Sequence, residues 1–347
     1  MLALVIAFLW ALYLWPTKRL WLLGCILLLI GNYFLSKVFE SNRVHQFLQG
    51  VFWHWGAYML MAGVILYYRK LKKTAIVSLL VAVPALLIGF NVFIREPNTL
   101  TIEHYRIASA KVQNPFRIVF VSDIQTDHVG WHERRTIQRI KDQNPDIILL
   151  GGDYLQAFGK TPLGDNVPQE FNQLFIDADL RPRFGVYAVR GNNDSAHFES
   201  LFEGSTVQAI SQTQTLRFRD FDLTFFEELD RNMPIRRTPE EMQRFHIMLS
   251  HIPDFAVGDR ASGWDKFTPD LMLAGHTHGG QIRIPFYGSL APPNADGLPR
   301  AWMSGLTVLP NGSKLIITRG TGMERAWGPR VRFNCTPEIS VIDVVPK

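Results

Sequence analysis

Chemistry in this chain begins with imidazoles. The stretch Gly275-His276-Thr277-His278-Gly279-Gly280-Gln281 places two of them one residue apart, directly after an apolar run at 271–274. Neutral imidazole ligates zinc, iron and related ions, and the flanking glycines leave room for a ligand to approach the backbone. Alone the pair says little, since neighbouring histidines are commonly loop residues. Upstream, however, four other apolar runs end in residues able to bind metal: Asp123, Asp153, Asn192 and His251. Each by itself reads equally well as a turn or capping residue. Together, at equivalent strand ends, they do not. Oxygen donors from two Asp and one Asn, with nitrogen donors from three His, exceed what a single ion's coordination sphere takes. A carboxylate shared by two ions roughly 3.5–4 Å apart fits the set, and such a pair orients a phosphoryl oxygen and acidifies a water. Hydrolysis of a phosphate ester is the natural use.

Strands must hold these groups in place. Residues 117–122, 146–150, 184–189, 245–250 and 270–274 are short apolar runs, suited to strands buried on both faces. An open α/β sheet gathers the carboxyl ends of its strands along one edge, where ligands bind. Between the runs, 131–143 predicts a helix with Ile137 and Ile140 inward, closed by Asn144-Pro145. A second helix is expected at 168–178, a hairpin at 215–226, another around Pro310-Asn311-Gly312, and a final strand at 339–344.

With these elements in order, Asp123-x-Gln125, Gly152-Asp153, Gly191-Asn192-Asn193-Asp194, His251 and Gly275-His276-Thr277-His278 resemble the motif series of calcineurin-like metallophosphoesterases. The longer stretches 251–254, 275–285 and 332–339 are similar to its membrane-anchored bacterial branch. The resemblance covers residues 117–344. It implies a four-layered α/β/β/α sandwich with two divalent or transition-metal ions, manganese, iron or zinc. Asp153 would bridge them. Asp123, Gln125 and His278 would hold one ion, and Asn192, His251 and His276 the other. The catalytic positions would be Asn193 and Asp194. Two departures stand out: Gln125 occupies a place where the family usually has histidine, and so does Asn193, where that histidine helps protonate the leaving group. Gln156 or His128 could make up for the first, and His128 or His197 for the second. Arg190, Arg319, Arg325, Arg330 and Arg332 offer positive potential to an anionic substrate.

The first 94 residues are of another kind. Apolar stretches at 2–15, 20–36, 51–68 and 75–94 follow one another, and the last three reach the ~20 residues that a helix needs to span a bilayer. A multi-pass α-helical membrane segment (1–94), a connector (95–116) with an edge strand at 100–104, and an α/β domain (117–347) are therefore expected. Lysine and arginine crowd the first and third loops (Lys18, Arg19; Arg69, Lys70, Lys72, Lys73), which puts those loops inside and the α/β domain on the periplasmic or extracellular side of the plasma membrane. The partners expected are the lipid bilayer and an anionic phosphate ester, amphiphilic in character. A net charge of +5 is an average over two unlike halves, and no basic run or motif for nucleic acid occurs in the α/β half. Two cysteines cannot build a disulfide framework. A reading from a different class is a non-catalytic metal or phosphate-ligand sensor on the same fold, motivated by Gln125 and Asn193.

Overall fold

In Phe116–Val121 side chains alternate between two cores, and this alternation sets the layering of the α/β half. Phe116, Ile118 and Phe120 join one apolar cluster, while Val119 and Val121 join another. The computed structural model describes residues 1–37, 43–156, 166–227, 237–256, 269–290, 298–324 and 328–347. These fall into two compact units, Met1–Glu96 with Arg325–Val331 and Pro97–Glu324 with Arg332–Lys347.

In the second unit the strands are β1 (Thr101–Ser109), β2 (Phe116–Val121), β3 (Ile147–Leu150), β4 (Val186–Val189), β5 (Val207–Ile210), β6 (Gln214–Arg217), β7 (Phe221–Phe225), β8 (Phe245–Leu249), β9 (Leu271–Ala274), β10 (Arg283–Ile284), β11 (Gly288–Ser289), β12 (Gly305–Val308), β13 (Lys314–Ile317) and β14 (Glu338–Pro346). They form two six-stranded sheets, ordered β1-β14-β2-β3-β4-β5 and β12-β13-β9-β8-β7-β6, with β10-β11 as a small separate hairpin. Within the first sheet β2, β3, β4 and β5 run parallel, and within the second β7, β8, β9 and β13 do. The sheets pack face to face through Phe116, Ile118, Phe120, Ile147 and Leu149 on one side and Phe221, Phe245, Ile247, Leu271 and Leu273 on the other.

Helices Trp131–Asp142 and Val167–Ala178 cover the outer face of the first sheet, burying Ile137, Ile140, Phe171 and Phe175 against Val119, Ile148 and Leu150. The first helix opens on Glu133, whose carboxylate accepts the Gly130 N–H at 2.8 Å, and Pro168 sits in the first turn of the second. The outer face of the second sheet carries an apolar cluster of its own. Among the described residues, Met248, Met272, Leu315 and Ile317 are covered by Phe226, Phe255, Leu309 and Trp302, which lie on loops and 3₁₀ turns. The expected connector carries a strand longer than the 100–104 stretch: β1 pairs in parallel with β14 from Thr101 to Ser109.

Three helices of the first unit, Lys18–Ser36, Arg43–Tyr68 and Lys72–Arg95, are long and apolar enough to cross a membrane by length and composition; Leu2–Leu14 is shorter. Small residues let them approach. A Cβ on Gly63 would come within 2.8 Å of Leu79, and the Ser78 hydroxyl donates to the Met59 carbonyl at 2.7 Å. Trp10, Leu80 and Leu87 face outward.

Candidate metal centre

The parallel strands explain the site. β2, β3 and β4 of one sheet and β8 and β9 of the other all run out at the same end, so the five ligand-bearing loops come from two sheets and not from one edge. Backbone pairing continues past the strands. Asp123 N–H donates to Gly152 O at 2.9 Å, Gln125 N–H to Asp153 O at 2.9 Å, and Gly275 N–H to His251 O at 3.0 Å. The loop after β13 ties the first sheet to the second through Thr321 N–H to Ser122 O and Gly322 N–H to Asp123 O. Two glycines are required by close approach: a Cβ on Gly275 would lie 2.4 Å from Asp123 Oδ2, and one on Gly191 would lie 2.2 Å from Asp153 Oδ1. Asp123, Gln125, Asp153, His276 and His278 all adopt φ between +38° and +69°, a left-handed region costing about 1–2 kcal/mol per non-glycine residue.

Ligating atoms of Asp123, Asp153 and His251 lie within 4.8 Å of one another, all buried. His251 Nδ1 donates to Gly151 O at 2.6 Å, which leaves Nε2 facing Asn192 Oδ1 at 3.0 Å and Asp153 Oδ2 at 3.4 Å. A proton on Nε2 would serve one of those oxygens; a metal ion would serve both. The His276 ring stands edge-on to His251 at 5.2 Å, and the His276 backbone N–H donates to both oxygens of Asp123 at 3.0 Å. His278 Nε2 lies 3.4 Å from Asp123 Oδ1, and its buried Nδ1 has no protein partner. Burial, then the charge of Arg332, holds His278 well below the usual histidine range, in the neutral form that binds metal. Burial pushes the Asp123 carboxyl up to about 7. At His251 burial opposes the charged ring, yet Asp153 and Asp123 outweigh it and push the imidazole up to about 10. Orphaned buried donors, facing acceptors and carboxylates in close company make a donor set that fits divalent ions.

All seven expected metal positions are brought together here, with Asn193 and Asp194 beside them. Neither of these two points a spare group outward. Asp194 accepts from the backbone N–H of Asp153, Gly191 and Tyr154 at 2.7, 2.8 and 2.9 Å. Asn193 spends its N–H and its Nδ2 on Asp153, at 2.8 and 2.7 Å. Both are positioning residues in this geometry. Gln125 Nε2 lies 3.1 Å from Asp153 Oδ2, while its Oε1 is buried without a partner. His128 and His197 are exposed, and Gln156 is buried with neither amide atom partnered.

The arginines are used differently than expected. Arg319 pairs with Glu103 and Glu338, Arg190 with Glu227, and Arg332 is fully buried with its guanidinium on the carbonyls of Gly322, Arg319 and Cys335. Arg325 lies outside the described residues. Sequence reasoning missed Glu324. Its carboxylate is 3.3 Å from Gln125 Nε2, and Gln281 clamps its backbone, accepting its N–H at 2.7 Å and donating to its carbonyl at 3.3 Å. A buried glutamine closing the His-x-His turn was the only local signal.

This α/β sandwich pools carboxylates and imidazoles at the shared end of two sheets and so holds a candidate metal-binding cluster. Residues 116–280 match the calcineurin-like phosphoesterase family model. The chain is similar to phosphodiesterase YaeI of Escherichia coli (strain K12), 29% identical over 276 residues, covering 72% of this chain and 90% of that protein. It is also similar to the uncharacterized metallophosphoesterase YkuE of Bacillus subtilis (strain 168), 26% identical over 265 residues, 71% and 86% of the two chains. Among solved structures, YfcE, a phosphoesterase from E. coli, aligns over 62% of this chain and 85% of its own at 14% identity and a TM-score of 0.31.

Proposed function

We propose that this protein is a membrane-anchored phosphoesterase that uses two divalent ions to hydrolyse a phosphate mono- or diester, with lipid-linked phosphates or pyrophosphates as the substrate class. The observation that carries the reading is the His251 nitrogen, turned by Gly151 toward two oxygens that cannot donate to it. Asp123, Gln125 and His278 would hold one ion, Asn192, His251 and His276 the other, and Asp153 would be shared. Ions so placed polarise a phosphoryl oxygen and lower the pKa of water near neutrality. The chain's own groups supply the fixed frame. Gly151 sets the His251 tautomer, Asn193 aims the Asp153 carboxylate, and Asp194 locks the loops after β3 and β4 together. With an amide at position 193, the site favours a leaving group that departs as a weakly basic oxyanion, such as the phosphate of a pyrophosphate.

Three apolar helices support the anchor, and more spans than a tether needs favour an amphiphilic substrate. The clusters at Lys18-Arg19 and at 69–73 favour an outward-facing α/β unit. Added protease should then cut that unit in intact spheroplasts, and complete protection would overturn the sidedness. For the chemistry, the purified full chain should hydrolyse bis(p-nitrophenyl) phosphate in the presence of Mn²⁺, and His276→Ala should bring the rate to background. A folded, metal-loaded but inert wild type would overturn catalysis and favour the sensor.

A further inference from the structure

We infer that Glu324 is a further donor of the metal centre, the one that completes the Gln125 side. This deepens the two-metal reading and rests on it. The Gln125 side chain is wholly buried, and its Nε2 stands between two carboxylates, 3.1 Å from Asp153 Oδ2 and 3.3 Å from Glu324 Oε2. The amide thus occupies a place between anions while its own oxygen, the atom able to ligate, has no partner. Turning that amide over would set Oε1 toward the same space and leave both carboxylates facing a cation. Glu324 is itself buried, and its placement is not a loop accident. Gln281, three residues past His278, grips its backbone from both sides, and Gly322 is bonded to Asp123. The His-x-His turn therefore fixes Glu324 and the histidines as one piece.

The consequence is an unequal pair of positions. On the Asp123 side the donors are three carboxylates and an amide oxygen with a single imidazole, His278. On the other side two imidazoles, His251 and His276, join Asn192 and the shared Asp153. Oxygen-rich surroundings favour hard ions such as Mn²⁺ or Mg²⁺, and imidazole-rich ones favour zinc or iron. Glu324 sets that selectivity.

The test is metal binding by the full chain in detergent, measured by calorimetry and elemental analysis, with the melting temperature taken in chelator and in Mn²⁺. Wild type should bind two Mn²⁺ per chain. Glu324→Gln should weaken one of them tenfold or more, leave the other unchanged, and shift the weakened position toward Zn²⁺. Glu324→Asp should fall between. The metal-free melting temperature should stay put while the Mn²⁺-induced rise shrinks. Two Mn²⁺ bound by Glu324→Gln with wild-type affinities would overturn the inference alone, as would an equal drop in melting temperature with and without metal at unchanged affinity. A wild-type chain that binds no Mn²⁺ would overturn the two-metal reading together with this inference.

Discussion

At the end of the sandwich where the parallel strands begin, carboxylates are matched with fixed cations. Asp222 has Arg244 at 2.8 Å with Arg217 and Arg237 at 3.6 Å, Asp270 has Lys111 at 2.9 Å, and Asp343 has Arg117 at 2.7 Å. At the end where the same strands finish, the ion-pair contacts of Asp123 and Asp153 among the described residues are made by histidines, whose charge depends on a proton. The two ends enclose the same core and are built from the same strands. What separates them is where the positive charge comes from: arginine and lysine at one end, protonatable imidazoles at the other.

Removing a carboxylate should consequently have opposite signs at the two ends. Asp222→Ala removes the buried carboxylate shared by Arg217, Arg237 and Arg244 and should cost about 3–5 kcal/mol in urea unfolding, with Mn²⁺ affinity unchanged. Asp194→Asn disturbs the acceptor of three backbone N–H groups without touching a ligand atom, and should weaken Mn²⁺ binding roughly 10–100-fold, as loss of supporting hydrogen bonds does. Asp123→Asn should abolish hydrolysis yet stabilise the metal-free protein at pH 8 by about 1 kcal/mol, the size of an ordinary stabilising substitution. There the group is charged above its elevated value of about 7, and burial disfavours that charge. A destabilised metal-free Asp123→Asn protein would erase the contrast between the ends.

The smallest effect concerns acid. His246, bonded to Thr224 at 2.7 Å, is held down to about 3 by burial and then by Arg237 and Lys111. Its unfolded imidazole takes a proton near 6.5 while the folded one resists until about 3. Stability should thus fall as pH drops through that window, and His246→Gln should flatten the decline. An unchanged slope in denaturation curves from pH 7 to pH 4 would remove His246 from the account.

Much of this was legible in order along the chain. Runs such as Ile147–Leu150 and Leu271–Ala274 announce buried strands, and a polar residue just past each announces an edge. What could not be read was which runs share a sheet, because β2 and β8 look alike as sequences although they lie in different sheets. Glu324 was invisible for a related reason. Its contact with Gln125 spans 199 residues and belongs to no periodic pattern. Asn193 and Asp194 were found by motif, but their work on Asp153 and on backbone N–H groups needed coordinates. Arg332 carries a charge that sequence places at the surface, and burial on backbone carbonyls reverses that.

The left-handed backbone at Asp123, Gln125, Asp153, His276 and His278 has a bearing on how such a chain changes over generations. At each of these positions glycine would relax the backbone, and at the two aspartates it would also delete a buried charge. At Asp123, whose charge burial disfavours, loss of the donor is therefore downhill for the fold, whereas at Asp153 it would orphan the buried N–H groups of Asn193 and Gln125. A chain that keeps histidine at φ +69° and +49° keeps it against that backbone preference.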